Sequence, residues 1–155
     1  MYADLHLHTN FSDGTFTPEE LAEHGQRVGL SAMALTDHDT VDGCARMAVA
    51  CGERDIEFVA GCEFTVEHDG NELHLLGYFL DLENNRLRGE LAKYQSVRRN
   101  RIHEMVEKLN ELGVEITSDD VMKIANCDSP GRPHIGRALV ALGHCGSLDE
   151  AFRKW

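Results

Sequence analysis

Residues 2–8 alternate in polarity, with Leu5 and Leu7 on one face and Asp4, His6 and His8 on the other. That is the period-two signature of a strand. Thr17-Pro18-Glu19-Glu20 opens a helix, with Thr as cap, Pro at the first helical position and Glu at the third. The helix should run to about Val28 and stop at Gly29. Residues 31–36 predict a second strand and residues 42–53 a second helix. Residues 56–60 predict a third strand, short and apolar enough to be buried on both faces. This rhythm predicts parallel βα units. Residues 63–68 and 72–80 then flank Asp69-Gly70-Asn71, the pattern of a hairpin.

From about Arg86 the period changes. Leu87, Leu91, Tyr94, Ile102, Met105, Val106, Leu109 and Leu112 mark one face of a long helix ended by Gly113. Shorter helices follow, one capped by Thr117 or Ser118, one opened by Pro133 and one by the capping box Ser147-Leu148-Asp149-Glu150. The chain therefore divides into an α/β part, residues 1–85, and a helical part, residues 86–155. Parallel strands followed only by helices make an unfinished architecture. The expectation is that the sheet closes with another chain, or that the sequence is part of a longer protein.

Composition narrows the class. The chain has 155 residues, enough for one domain with a sizeable core, and 42% hydrophobic with 27% charged residues is the balance of a soluble globular protein. No apolar run approaches the roughly 18 residues of a membrane span, and no basic-then-apolar leader opens the chain, so a cytoplasmic protein without membrane contact is expected. A net charge of −12 argues against general duplex DNA binding, which needs a basic surface. It does not exclude an anionic substrate, because bound dications would offset part of the charge. The five cysteines are odd in number and form no C-x-x-C pair, the usage of small buried hydrophobes in a reducing compartment. Oligomeric state is left open.

The candidate chemistry lies at strand ends. His6 and His8 share a face of the first strand, so both rings can reach one cation. Asp13 follows in a loop, His38 lies just beyond the second strand, Glu63 just past the third, and His74 on the hairpin. In α/β folds the C-terminal strand ends are where sites assemble. Imidazole and carboxylate without thiolate suit zinc, manganese or iron, and six ligands exceed what one ion takes, so two or more ions sharing a carboxylate are expected. Asp37, Asp39, Asp4 and Asp42 are candidates for orienting the ligands or capping, with Asp37 foremost as partner of a ligating ring. His24, His68, His103 and His144 read as surface residues. Arg98 and Arg101 lie three apart on the long helix, beside Arg99, and Arg132-Pro133-His134 stands at a helix start that favours an anion. Guanidinium forks match phosphate oxygens. Arg137, Arg153 and Lys154 read as solvated surface.

Taken together, Asp4-Leu5-His6-Leu7-His8-Thr9 with Ser12-Asp13-Gly14, Leu35-Thr36-Asp37-His38-Asp39, Gly61-Cys62-Glu63 and His74-Leu75-Leu76-Gly77-Tyr78 resemble the polymerase and histidinol phosphatase (PHP) family. Arg98-x-x-Arg101 and Gly131-Arg132-Pro133-His134-Ile135 resemble a subgroup with a helical insertion, acting on 3',5'-nucleoside bisphosphates and the 5' ends of short RNA. The resemblance implies an α/β fold, the N-terminal part of a distorted seven-stranded β/α barrel with that insertion. It implies two to three divalent ions (manganese, zinc or iron) on His6, His8, Asp13, His38, Glu63 and His74. Glu63 would bridge ions and Asp13 could also steer a proton. Arg101, Arg132 and His134, with Arg98, would hold the substrate phosphate. The activity implied is hydrolysis of a nucleotide phosphate ester by metal-activated hydroxide. The alternatives are a histidinol-phosphate-type phosphatase and a non-catalytic metal-binding module. The family's remaining ligands, from a His-Pro strand end and a later Asp-x-His, have no counterpart in this sequence.

Overall fold

The computed structural model describes residues 2–155, and its strands and helices follow one another largely as the alternation predicts. Strand β1 (Tyr2–Leu7), helix α1 (Pro18–Arg27), β2 (Leu30–Leu35), α2 (Cys44–Gly52), β3 (Glu57–His68) and β4 (Asn71–Tyr78) form the α/β part. Helices α3 (Asn85–Glu111), α4 (Ser118–Ala125), α5 (Arg132–Ala141) and α6 (Leu148–Lys154) complete the chain. The sheet order is β1-β2-β3-β4, parallel for the first three and antiparallel at the last.

Two boundaries differ from the sequence reading. Glycine 61 suggests a break after residue 60, yet β3 continues through it for 12 residues. Its first half pairs with β2, Ala32 opposite Glu57 to Leu35 opposite Ala60, and its second half pairs with β4, Gly61 opposite Tyr78 to His68 opposite Asn71. Gly61 is there for packing: a Cβ would lie 2.8 Å from the Gly77 carbonyl oxygen and 2.9 Å from Thr36 Cγ2. Helix α2 starts at Cys44 instead of residue 42, because Thr40 Oγ1 bonds the Asp42 side chain at 3.0 Å and accepts from its N–H at 3.2 Å, holding a turn there. The helix starts at Thr17, with its full capping box, and at Thr117 follow the expected chemistry. So does the hairpin, whose Asp69 and Gly70 both have positive φ, the two-residue turn whose twist matches the strands.

Leu7, Met33, Leu35, Phe58, Ala60, Cys62 and Phe64 pack with Leu21, Ala22 and Met47 of α1 and α2 in one core. Alternation turns His6 and Glu63 to the opposite face. The third strand is thus buried less evenly than its apolar sequence suggests: Val59 is buried, Phe58 partly buried and Glu57 exposed. A second core joins Ile102, Val106 and Leu109 of α3 to Val121, Ala138, Leu139 and Ala151 of α4, α5 and α6. Although β1 and β4 are the two edges, Tyr78 Oη donates to the Leu5 carbonyl at 2.8 Å. In a flat sheet they would lie three strand spacings, about 14 Å, apart, so the sheet is strongly curled, as in a segment of a barrel. Among the described residues no helix is long and apolar enough to cross a membrane. Cys44, Cys51, Cys62 and Cys145 are buried free thiols, and Cys127 is half-buried.

Candidate metal centre

The curl brings the ends of β1 and β2 and the middles of β3 and β4 together around Glu63. The backbone of residues 37–39 extends the β2–β3 ladder beyond β2: Glu63 N donates to Asp37 O at 3.2 Å and Asp39 N to Glu63 O at 3.0 Å. His38 and Glu63 are therefore fixed to each other through main chain, and His74 arrives on β4 from across the hairpin. Asp13 is delivered by a loop that folds back on β1, with Ser12 N and Gly14 N both donating to Thr9 O. The turn is tight enough that a Cβ at Gly14 would stand 2.4 Å from His8 O.

Around the buried Glu63 carboxylate, His6 Nε2 lies 2.7 Å and His8 Nε2 3.0 Å from Oε2, and His74 Nδ1 2.7 Å from Oε1. His8 Nδ1 faces Asp13 Oδ1 at 3.4 Å, and His38 faces Asp13 Oδ2 through Nε2 at 3.5 Å and Glu63 Oε2 through Nδ1 at 3.7 Å. Three overlapping triads result, His6–His8–Glu63, His8–Asp13–His38 and His38–Glu63–His74, each with ligand atoms within 4.8 Å of one another. The structure thus brings all six sequence candidates into one cluster.

The donor set fits divalent cations on two observations. His38 Nδ1 is buried with no hydrogen-bond partner, an arrangement that costs about 1–3 kcal/mol unless something meets the ring. The separations of 3.4 to 3.7 Å at Asp13 and His38 are too long for hydrogen bonds. They match ligands of a common ion, since bonds of about 2.1 Å put tetrahedral neighbours about 3.4 Å apart.

The protonation states suit such ligands. Burial pushes the Asp13 carboxyl up, but the close approach of His38 Nε2 and the fields of His38, His8 and His134 outweigh it and bring it down to about 2. Burial likewise works against Glu63, and the His6 hydrogen bond, the His38 field and the His74 hydrogen bond hold it below the ordinary glutamate range. Burial and the neighbouring His38 lower His8, which keeps its imidazole neutral. Ionised carboxylates and neutral imidazoles are the metal-competent forms.

Of the surrounding carboxylates, Asp37 departs from the sequence reading, which made it the partner of a ligating ring. Asp37 touches no ligand ring. Its oxygens accept from Thr9 N at 2.7 Å, Thr9 Oγ1 at 2.5 Å and Ser12 Oγ at 2.6 Å, so it anchors the loop carrying Asp13. Burial nevertheless raises it to about 6, against those hydrogen bonds. Asp4 accepts from the His6 main chain and Asp42 from Thr40. Asp39, fully buried, accepts from Thr65 N and Oγ1 at 2.8 Å and from Arg98 Nε at 2.5 Å, and so clamps α3 to the sheet beside His38.

A cavity of about 150 Å³ is lined by the ligands Asp13, His38 and His74 together with Arg98, Arg101 and Arg132. Arg98 is held by Asp39 and, through Nη2, by Thr65 at 2.7 Å, while Nη1 points past Gly131. Arg101 Nη1 pairs with Glu72 at 2.6 Å, and Glu72 also stands 3.5 Å from His74 Nε2. Arg99 turns away to the Asp128 carbonyl. His134 is buried and accepts from Gly131 N at 3.0 Å through Nδ1, leaving Nε2 to carry the proton. Burial, then Arg137, lowers it to about 4, so it is a neutral donor and not a cation. Arg137, read from sequence as surface, donates Nη2 to the Asp13 carbonyl at 2.7 Å. The signal was its place three residues after His134, on the same helix face. Ser129, whose hydroxyl donates to the His38 carbonyl, carried no sequence signal.

With this geometry in view, comparison with known proteins is informative. The profile of the PHP domain matches residues 4–115. A 5'-3' exoribonuclease of Haemophilus influenzae is 30% identical over 152 residues, which cover 98% of this chain and 55% of that protein. A 3',5'-nucleoside bisphosphate phosphatase of Chromobacterium violaceum is 32% identical over 155 residues, 98% of this chain and 54% of that one. Among solved structures, a Bifidobacterium adolescentis protein assigned as a metal-dependent phosphoesterase superposes with a TM-score of 0.89 at 35% identity, covering 98% of this chain and 54% of that one. An amidohydrolase of Chromobacterium violaceum with bound sulfate superposes at 0.88 and 32% identity, covering 99% and 54%. The chain spans about half the length of the relatives it matches, and its curled sheet is the N-terminal part of their barrel. On the match over residues 4–115, this chain belongs to the PHP domain family.

Proposed function

We propose that this chain carries the N-terminal share of a metal-dependent phosphoesterase site acting on a nucleotide, either a 3',5'-nucleoside bisphosphate or the 5' end of a short RNA. The observation that carries this reading is one cavity shared by two kinds of group: Asp13, His38 and His74 of the six-residue ligand cluster, and Arg98, Arg101 and Arg132. In this reading residues 1–85 form the barrel part and residues 86–155 the substrate-side insertion.

Bound divalent ions would neutralise phosphoryl oxygens and acidify a water, so no serine or cysteine nucleophile is needed. The chain's own residues divide the remaining work. Glu63 offers Oε2 to His6, His8 and His38 and Oε1 to His74, the placement of a bridging carboxylate. A neutral imidazole has one lone-pair nitrogen, and His8 and His38 each face two triads with different nitrogens. With neutral rings this chain therefore fills two triads at once, and a third ion needs ligands from outside these six. Asp13, ionised and on the cleft wall, is placed to bind an ion or take up a proton. Arg101, Arg132, Arg98 Nη1 and the neutral His134 Nε2–H are the phosphate-side donors.

Manganese binding by calorimetry, with phosphate release from adenosine 3',5'-bisphosphate, tests the proposal. Two ions per chain are expected, and metal-dependent turnover that disappears in His6→Ala. Metal binding without any turnover or nucleotide affinity would favour a metal-binding module, a reading supported by the chain's half-length coverage of its relatives. No metal binding would refute both.

A further inference from the structure

Beyond the ends of β1 and β2, the main chain around His38 is held by the helical part. Residues 37 and 39 pair with β3, Glu63 N donating to Asp37 O and Asp39 N to Glu63 O. Alternation turns the His38 carbonyl the other way, toward the side on which β1 flanks β2. There β1 has already ended at Leu7, whose carbonyl accepts from Thr36 N at 2.9 Å. A carbonyl turned into the fold needs a donor, and the fully buried Ser129, in the loop between α4 and α5, supplies its hydroxyl. One residue on, Gln95 Nε2 of α3 donates to the Asp39 carbonyl at 3.1 Å. The neighbouring ligand loop is met in the same way: Cys127 Sγ donates to the Ser12 carbonyl at 3.3 Å, and Arg137 of α5 to the Asp13 carbonyl. The helical part supplies none of the six ligands, yet it donates to the main-chain carbonyls of two of them, Asp13 and His38.

We propose that Ser129 and Gln95 are positioning residues for His38, and that they set the affinity of one metal ion of two by holding main chain alone. These roles rest on the metal-centre reading of the six ligands and extend it to residues that touch no ion. His38 Nδ1 is buried without a hydrogen-bond partner. Left free, such a ring would draw its main chain along until the nitrogen met water or a donor, because an unmet polar group costs free energy. Here the main chain cannot follow. Its neighbours are fixed to Glu63 on one side, and its own and the next carbonyl are taken by Ser129 and Gln95 on the other. The ring therefore stays aimed at the metal edge before an ion arrives, and the cost of ordering it falls on folding instead of on binding. Only one ion should feel this. With neutral rings, the triads that can fill together are His6–His8–Glu63 and His38–Glu63–His74, because His8–Asp13–His38 would use the other nitrogen of both His8 and His38. Of those two triads, His38 belongs to the second alone.

Calorimetric titration of this chain with manganese reads the two ions, and His38→Ala identifies the ion of the second triad as the one lost. Ser129→Ala should weaken that ion about ten-fold or more, the range for losing a group that orients a ligand, and leave the other unchanged. In the His38→Ala background the remaining ion should be indifferent to Ser129→Ala, since the route through the ring is gone. Gln95→Leu, at a half-buried position of a long helix, asks the same question should Ser129→Ala not fold, and should weaken the same ion about two- to ten-fold. Unchanged affinity in either folded variant overturns the role of the residue replaced. A loss shared equally by both ions, or one that persists in His38→Ala, makes Ser129 a support of the fold at large and overturns the proposal. Each of these results leaves the metal centre standing. Wild-type chain that takes up no manganese overturns the metal-centre reading itself, and the positioning roles with it.

Discussion

Replacing Asp39 by asparagine changes one atom of a buried clamp without changing its shape. Asp39 is fully buried and has φ of 49°, a conformation asparagine accepts as readily as aspartate. Its Oδ1 can still accept from Thr65 N, but the amide nitrogen replacing Oδ2 would face Arg98 Nε at 2.5 Å, donor against donor, and would no longer accept from Thr65 Oγ1. Removing one partner of a buried ion pair costs about 3–5 kcal/mol, because the other charge stays buried without compensation. For a chain of this size each kcal/mol moves the melting temperature by about 2–4 °C, so a fall of roughly 6–20 °C is expected in metal-free buffer. The clamp also sits next to His38, and Asp39 N donates to the Glu63 carbonyl. Metal affinity should therefore fall about 10- to 100-fold, the range for losing a group that orients ligands. Circular-dichroism melts and urea denaturation read the first effect, and zinc or manganese titration the second. Arg98→Met alone should be similarly costly, and the double variant should recover part of the loss, which gives a coupling energy for the pair. A melting temperature within about 2 °C of wild type for Asp39→Asn would refute the clamp.

Other perturbations probe the centre itself. Glu63→Gln keeps the side-chain shape but removes the shared charge, and elemental analysis after dialysis should show fewer ions per chain than wild type. Gly14→Ala places a methyl 2.4 Å from the His8 carbonyl oxygen; the loop must shift, costing about 1–3 kcal/mol in denaturant unfolding and weakening metal binding, whereas Gly52→Ala, with open space around its Cβ position, should do neither. Zinc at about 100 times its dissociation constant should stabilise the fold by about 2.7 kcal/mol, visible as a raised melting temperature that chelator reverses. That gain should shrink once the pH falls below the ordinary histidine range, where burial and the neighbouring His38 place the His8 imidazole and protons compete with the metal for it. A metal-induced shift that persisted unchanged well below that range would argue against imidazole ligation.

The ligand cluster was legible in sequence because its logic is local. Two histidines one residue apart on a strand must share a face, and a residue just past a parallel strand must stand at the edge where loops converge. The hairpin turn and the helix starts at Thr17 and Thr117 were legible for the same reason, since a cap or a positive-φ pair is written in consecutive residues. The continuity of β3 through Gly61 was not legible, because a glycine looks the same in sequence whether it lies between two strands or admits a neighbouring backbone within one.

The roles around the ligands were decided by tertiary structure. Asp37 and Asp39 flank the same histidine and look equivalent, yet one anchors the Asp13 loop through Thr9 and Ser12 and the other holds α3 through Arg98. Nothing in a local pattern says which donor, 25 to 59 positions away, will meet which carboxylate. Arg98 and Arg101, read as phosphate-holding, and Arg137, read as surface, end on an aspartate, a glutamate and the Asp13 carbonyl. The amino-acid order by itself determined the elements and the inward set of ligands, because backbone periodicity is a short-range property. Only the curl of the sheet and the docking of α3 and α5 decided the partners, because desolvated charges pair with whatever the packed chain leaves within reach.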